Sequence, residues 1–103
     1  MGSVQRWVTT RQLKTTSEAL KRAERDLRVE REQVHSYGDD AADAQGAALG
    51  GNASDRDEAF RARRHLDAAR ARVSSLESAT TELRAKQDRL LDKLGNNPGG
   101  GSW

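Results

Sequence analysis

The feature that most constrains this chain is a long run without glycine or proline, residues 4–37, in which large apolar residues recur every seven positions. The recurring residues are Leu13, Leu20, Leu27 and Val34. A weaker row follows each of them by three positions, as Thr16, Ala23, Glu30 and Tyr37. Two rows at this spacing form the a and d seam of a coiled coil, on one side of a long helix. The run therefore predicts one continuous helix over residues 4–37.

The second half of the chain repeats this pattern between residues 55 and 94. One row consists of Ala59, Leu66, Val73, Thr80, Gln87 and Leu94, and the other of Ala62, Ala69, Leu76, Leu83 and Leu90. Ser54 is a suitable N-cap for such a helix, and the acids after it suit the positive end of the helix dipole. We therefore predict a second helix over residues 55–94.

Residues 38–54, between the two predicted helices, are rich in glycine, alanine and aspartate. Glycine weakens a helix because its backbone is conformationally free, and the segment is too long for a tight helix–helix connection. It therefore predicts an acidic tip, with one short helix around residues 40–49 as an alternative inside it. The two ends are predicted to lie outside the fold, as an N-terminal extension of residues 1–3 and a flexible glycine-rich tail of residues 95–103.

The two seams match when the chain is folded back on itself, because every a position then meets a d position. The predicted opposite pairs include Leu13 with Leu83, Leu20 with Leu76, Thr9 with Gln87 and Tyr37 with Ala59. Glu30 opposite Leu66 is a mismatch. The predicted fold class is all-α, a two-helix antiparallel coiled-coil hairpin. A single seam buries little apolar surface at this size, so we expect a partner, or a second copy that completes a four-helix bundle.

Apolar residues also gather at the open end of the predicted hairpin. They are Val4, Trp7, Val8, Leu91 and Leu94. Because exposed apolar patches mark docking surfaces, Trp7, Val8 and Leu91 are candidate partner-binding residues of a base patch. The alternative is that Trp7 closes the base of the hairpin by packing on Leu90 or Leu94.

Composition excludes several classes of chemistry. The chain has no cysteine, which removes disulfides and thiolate metal sites. With 34% hydrophobic and 33% charged residues, it has no apolar run long enough for a membrane span or a signal peptide. His35 and His65 are too few for a metal site, and the serines of the second helix lack a histidine base. We therefore expect a cytoplasmic protein without catalytic residues, metal or cofactor.

The net charge of +2 hides an uneven distribution. The two predicted helices are both basic, whereas residues 38–58 hold six acids against one arginine. Asp39, Asp40 and Asp43 follow the end of the first predicted helix, where a negative charge opposes the helix dipole. Because the helix gains nothing from them there, these aspartates are candidate partner-binding residues of the tip. The alternative is an ordinary solvated surface.

A basic run lies on the second predicted helix and consists of Arg61, Arg63, Arg64, His65, Arg70 and Arg72. Such a run can contact nucleic-acid phosphates, with Arg61, Arg64 and Arg72 as the candidate residues. Asp67 interrupts the run, no stacking aromatic residues accompany it, and no known DNA-binding motif frames it. A solvated helix face is therefore the favoured interpretation.

The acidic tip of a helical hairpin resembles the secondary-channel regulators of bacterial RNA polymerase, the Gre and DksA class, over roughly residues 4–94. In that class the hairpin enters a pore, and carboxylates at its tip reach the catalytic magnesium, an ion that takes only a few protein oxygens. The resemblance implies Asp39, Asp40 and, as a third, Asp43 as tip acids. The chain departs from the class in having neither the second globular domain of Gre nor the zinc-binding cysteines of DksA.

Three further segments resemble those of small uncharacterised coiled-coil hairpin proteins of high-G+C, actinobacterial-type bacteria. They read D-D-A-A-D-A at residues 39–44, R-R-H-L-D-A at 63–68 and Q-D-R-L-L-D-K-L at 87–94. The preference for arginine over lysine fits that origin. This resemblance implies a fold and no activity.

These observations predict a non-enzymatic protein that acts by protein–protein contact. The most concrete version is a transcription regulator whose acidic tip enters the secondary channel of RNA polymerase. The alternatives are an oligomeric structural or assembly coiled-coil protein of a phage or cell envelope, a nucleic-acid binder that uses the basic run, and an artificial designed chain without function. Nucleic-acid binding is the less favoured of these, and no membrane contact is expected.

Overall fold

The computed structural model describes residues 2–95 as two helices joined by a short turn. Helix α1 covers Gly2–Ala48 and helix α2 covers Ala53–Gly95, and the described residues contain no strand. The helices pack against each other as an antiparallel hairpin, since side chains early in α1 contact residues late in α2. The all-α hairpin predicted from the heptads is confirmed.

The seam predicted from the heptad rows is the buried surface of both helices. Every a and d position from Thr9 to Ala48 and from Asp55 to Leu94 is buried or partly buried. The most buried residues are Thr16, Leu20, Ala23, Leu27 and Ala41 of α1 and Leu66, Ala69, Thr80 and Leu90 of α2. Because only one stripe of each helix is covered, the chain needs few large apolar residues.

The chain divides into two compact units, and the described residues of the first are 2–24 and 78–95. Here the Arg84 guanidinium forms an ion pair with the Glu24 carboxylate at 3.0 Å. The side-chain amide of Gln87 donates a 3.0 Å hydrogen bond to the hydroxyl of Ser17. These contacts join α1 to α2 on the border of the seam.

The second unit is Arg25–Glu77, and two ion pairs join its helices. Arg31 lies 3.2 Å from Glu77, and Nε of Arg72 lies 3.1 Å from Oε1 of Glu30. The other carboxylate oxygen of Glu30 is buried and has no hydrogen-bond partner among the described residues. Glu30, the predicted mismatch of the seam, is therefore compensated on one oxygen by an arginine of the other helix.

The register of the seam differs from the predicted one by about one heptad. Gln87 contacts Ser17 rather than Thr9, and the ring of Tyr37 lies 5.9 Å from the ring of His65, about two turns past its predicted partner. The predicted pairing is wrong because it assumes that α1 ends near residue 37. A heptad pattern also matches after a shift of seven residues, so the position of the turn decides between the registers.

The acidic tip predicted over residues 38–54 is wrong, because α1 continues to Ala48. Residues 38–48 include five alanines, and alanine has the highest helix propensity. Ala41 is 8% exposed and extends the a row of the seam. Gly38 and Gly46 lie within the helix at a cost of about 1 kcal/mol each relative to alanine. Alanine propensity and continued burial together outweigh this cost.

The turn between the helices therefore comprises only residues 49–52. Gly51 adopts a φ of 81°, a left-handed conformation that glycine enters without steric penalty. Asn52 Oδ1 accepts a 2.8 Å hydrogen bond from the backbone N–H of Ser54. Asn52 is thus the N-cap of α2 in place of the predicted Ser54.

The ends of the chain also differ from the predicted boundaries. Helix α1 begins at Gly2, so the part of the predicted extension that is described, residues 2 and 3, is helical. Gly95, the predicted first residue of the tail, is the last residue of α2. Residues 1 and 96–103 lie outside the described residues.

Candidate interaction sites

The three predicted tip aspartates, Asp39, Asp40 and Asp43, lie on α1 and not in the turn. All three are exposed, and Oδ2 of Asp39 lies 3.7 Å from Nε2 of His35, one turn earlier. Asp43 precedes the last residue of α1 by five positions, which is about 7.5 Å at the helical rise. These aspartates therefore belong to the side of α1.

The carboxylates nearest to the turn belong to α2. Asp55, Asp57 and Glu58 lie in its first two turns, where the helix dipole favours negative charge. Leu49, in the turn itself, is 87% exposed. Residues 43–58, which we call the turn end, therefore combine a negative charge with one exposed leucine.

Within the described residues, no group of three or more histidine, cysteine, aspartate or glutamate side chains is arranged to hold a metal ion. His35 lies beside Asp39, whereas His65 packs its ring against Tyr37 with a tilt of 50°. The two histidines therefore have separate surroundings.

Val4, Trp7 and Val8 form an exposed apolar stripe on α1, which we call the outer stripe. Residues spaced i, i+3 and i+4 share one face of a helix, and the heptad places this face opposite to the seam. The three residues are 67%, 62% and 41% exposed. The Arg11 guanidinium carbon lies 5.3 Å from the centroid of the Trp7 ring, within reach of a cation–π interaction. The stripe is thus apolar with a cationic margin.

The alternative in which Trp7 closes the base of the hairpin is wrong. The heptad rows place Arg6, and not Trp7, at the seam position of this turn. The Arg6 guanidinium donates a 3.4 Å hydrogen bond to the backbone carbonyl of Leu94. That carbonyl lies in the last turn of α2, where carbonyls have no partner within the helix. Arg6 therefore closes this end of the hairpin and leaves Trp7 exposed.

Leu91, the third predicted residue of the base patch, is 48% exposed and follows Leu90, which is buried in the seam at 5%. One residue step turns a helix by about 100°, so Leu91 borders the seam on α2, while the outer stripe faces away from the seam on α1. The residues of the predicted base patch therefore lie on two different surfaces. Trp7 and Val8 belong to the outer stripe of α1, whereas Leu91 borders the seam on α2.

The basic run on α2 contains arginines that already have carboxylate partners. Arg63 lies 3.6 Å from Asp67 one turn later, and Arg72 lies 3.1 Å from Glu30 of α1. Arg72, a predicted nucleic-acid residue, therefore holds a partly buried carboxylate of the seam. Its charge is therefore paired with a carboxylate of the other helix.

The other two predicted arginines, Arg61 and Arg64, line an open groove of about 320 Å³ together with His65 and Ala68. We call this the α2 groove. Neither arginine forms an ion pair within the described residues. Phe60, beside the groove, is 65% exposed, and its ring centroid lies 5.9 Å from the Arg64 guanidinium carbon. The expectation that no aromatic residue accompanies the basic run is therefore wrong.

The sequence signals two further features that are absent from the predictions above. Phe60 is the single phenylalanine of the chain and lies outside both heptad rows, which predicts an exposed ring. Glu30 occupies a seam position, where an acid needs a basic neighbour from the other helix. The predicted register offered Leu66 as its neighbour, and this concealed the pairing with Arg72.

Comparisons with protein-family models, with curated proteins and with solved structures find no match for this chain. In the part of the chain that the structure describes, neither helix contains a stretch apolar enough to cross a membrane. The function has to be inferred from the geometry and charge of the exposed surfaces.

Proposed function

We propose that the protein is a non-enzymatic helical hairpin that acts by protein–protein contact through its outer stripe. The observation that carries the proposal is the exposure of Val4, Trp7 and Val8, at 67%, 62% and 41%, on the face opposite to the seam. The seam already covers the apolar rows of the hairpin, so this stripe has no role in joining the two helices. Tryptophan, tyrosine and arginine are enriched among the residues that contribute most of the binding energy at protein interfaces.

The charge around the outer stripe indicates the kind of surface that it binds. Residues 2–17 carry three basic side chains and no acid, so a complementary surface is apolar and negatively charged. The turn end of a second copy offers both properties, because it contains exposed Leu49 and a net negative charge. We therefore propose self-association in which the outer stripe of one copy contacts the turn end of another, as in an oligomeric structural or assembly protein.

The secondary-channel version of this function receives less support. A regulator of that type needs carboxylates at the foremost point of its hairpin, whereas Asp39, Asp40 and Asp43 precede the end of α1 by five residues or more. The turn itself, residues 49–52, carries no acid. A cytoplasmic transcription regulator of bacterial RNA polymerase remains the alternative proposal for the same chain.

Sedimentation velocity over the micromolar range tests the self-association. We expect oligomers whose fraction rises with concentration and falls with added salt, because the contact is partly electrostatic. Trp7→Gln should shift the transition to about tenfold higher concentration or more, as expected for loss of a central aromatic contact. Circular dichroism should show unchanged helicity, because Trp7 lies outside the seam.

Val8→Gln and Val29→Gln form a matched pair for this experiment. Both valines are exposed, at 41% and 52%, but Val29 lies far along α1 from the outer stripe. Only Val8→Gln should weaken association. Equal effects of the two variants, or a native chain that stays monomeric throughout, would contradict the proposal. A monomer that binds purified RNA polymerase, and loses its effect on transcription but not its binding with Asp39→Asn and Asp40→Asn, would favour the regulator instead.

A further inference from the structure

Three arginines of the basic run, Arg61, Arg64 and Arg70, have no carboxylate partner among the described residues, and the α2 groove contains the first two. Arg63 is held by Asp67 and Arg72 by Glu30, whereas Arg61 and Arg64 line the open groove of about 320 Å³. A guanidinium presents five donors in a planar fork that matches the oxygens of a phosphate. The donors of Arg61 and Arg64 are therefore available to a ligand.

An aromatic ring lies beside these two guanidinium groups. Phe60 is 65% exposed, and Arg64 lies 5.9 Å from its ring centroid. His65 adds an imidazole to the groove and packs against Tyr37 on its other side. Nothing in the hairpin requires a phenylalanine outside the seam, and an exposed ring next to arginines is the arrangement on which unpaired bases stack.

We propose that the α2 groove binds single-stranded nucleic acid, with phosphates on Arg61 and Arg64 and a base stacked on Phe60. The groove is open and shallow, so it admits a splayed strand whose bases are free to leave the stack. An acidic peptide could pair with Arg61 and Arg64, but it has no planar base to stack on the ring of Phe60. This site shares no residue with the outer stripe but borders the turn end, so its binding is measured at concentrations where the chain is monomeric.

The acids near the groove determine the direction in which a bound strand extends. Asp67 is neutralised by Arg63 at 3.6 Å. Asp57 and Glu58 are exposed, lie one turn before Arg61 and form no ion pair within the described residues, so they repel phosphates on that side. The strand therefore extends from Phe60 toward Ala68. It also follows that Asp57→Asn should increase the affinity.

Fluorescence anisotropy of a labelled oligothymidylate and a labelled oligouridylate, titrated with the full chain, tests the proposal. We expect binding that weakens steeply between about 50 and 200 mM salt. Arg61→Gln with Arg64→Gln should lower the affinity by about tenfold or more. The slope of log K against log salt should fall by about 1.4 in magnitude, since each phosphate contact on a single strand contributes about 0.7.

Arg22→Gln with Arg25→Gln is the matched control. These arginines are exposed and have the same i, i+3 spacing, so the variant loses the same charge at another place. It should retain most of the affinity. Equal losses of affinity in the two double variants would show that net charge alone attracts the oligonucleotide, and this result would overturn the proposed site.

Phe60→Ala separates stacking from charge. It should lower the affinity about fivefold or more, as expected for loss of one stacked base, and leave the salt slope unchanged. Asp57→Asn should bind more tightly than the native chain. The proposal is overturned if the native chain binds neither oligonucleotide at low salt, or if polyglutamate displaces them as effectively as unlabelled oligonucleotide. Because the readout is direct binding, its failure would leave the self-association result unaffected.

Discussion

The two ends of α1 differ in the residues that fill the seam and in those exposed outside it. Near its start, Leu13, Leu20 and Thr16 fill the seam, and further apolar residues lie outside it as the outer stripe. Near its end, residues 38–48, the seam consists of alanines and the exposed positions include three aspartates. Both segments are helical for different reasons, since leucine burial stabilises the first and alanine propensity the second. Residues 38–48 should therefore be the less stable part of α1.

The largest expected effect comes from removing a seam leucine at the start of α1. Leu20 is 7% exposed and Trp7 is 62% exposed, although both are large apolar residues of the same unit. Leu20→Ala should lower the free energy of unfolding by about 2–4 kcal/mol, whereas Trp7→Ala should change it by less than about 0.5 kcal/mol. Urea denaturation at concentrations where the chain is monomeric measures both. Similar losses for the two variants would mean that Trp7 is part of the core after all.

A smaller effect is expected from the seam ion pair of the second unit. Arg72→Gln leaves the Glu30 carboxylate, 19% exposed, without its charged partner. The free energy of unfolding should fall by about 1–2 kcal/mol. Glu30→Leu should instead raise it, because a well-packed apolar residue at a seam position avoids the desolvation cost of a carboxylate. Thermal and urea denaturation followed by circular dichroism measure both changes.

Arg70→Gln is the control for that pair, because Arg70 is exposed on the same helix and forms no ion pair in the described part of the chain. Its effect should be close to zero. If Arg72→Gln were no more destabilising than Arg70→Gln, the contact between Arg72 and Glu30 would add nothing to the seam.

The sequence was sufficient to predict the fold and the seam, because burial follows heptad spacing wherever leucine and alanine recur. It was not sufficient to predict the register. A shift of one heptad again places a positions opposite d positions. Gln87 therefore faces the d row in either register, at Thr9 in the predicted one and at Thr16, next to its contact Ser17, in the observed one. Only the length of α1 distinguishes the two, and that length depends on whether Gly38 and Gly46 interrupt the helix.

The same ambiguity affected the candidate sites. The glycines that flank Asp39, Asp40 and Asp43 predict a tip, but α1 is continuous to Ala48 and these aspartates lie on its side. Position in the basic run predicts the same role for Arg72 and Arg61, but Arg72 lies 3.1 Å from Glu30 and Arg61 has no such partner in the described part of the chain. To predict which of these arginines has a carboxylate partner, one must know which residue of α1 lies opposite each of them. The spacing of residues along α2 does not give this information.

The smallest expected effect comes from the two glycines inside α1, Gly38 and Gly46. A Cβ added at Gly46 meets no other atom within 4 Å, and its φ is not positive. Gly46→Ala should therefore raise the free energy of unfolding by about 0.5–1 kcal/mol, because alanine favours the helix and restricts the unfolded chain. Gly38→Ala should act in the same way. Urea denaturation and helicity at low denaturant measure the gain.

Gly51→Ala should change the free energy of unfolding in the opposite direction. Gly51 adopts a φ of 81°, which costs an L-residue about 1–2 kcal/mol, so this variant should be less stable than the native chain. A flexible tip over residues 38–54 would respond to all three substitutions with the same small change. Opposite signs at Gly46 and Gly51 are expected only if the helix extends beyond Gly46 and the chain reverses at Gly51, and that boundary is what sets the register of the seam.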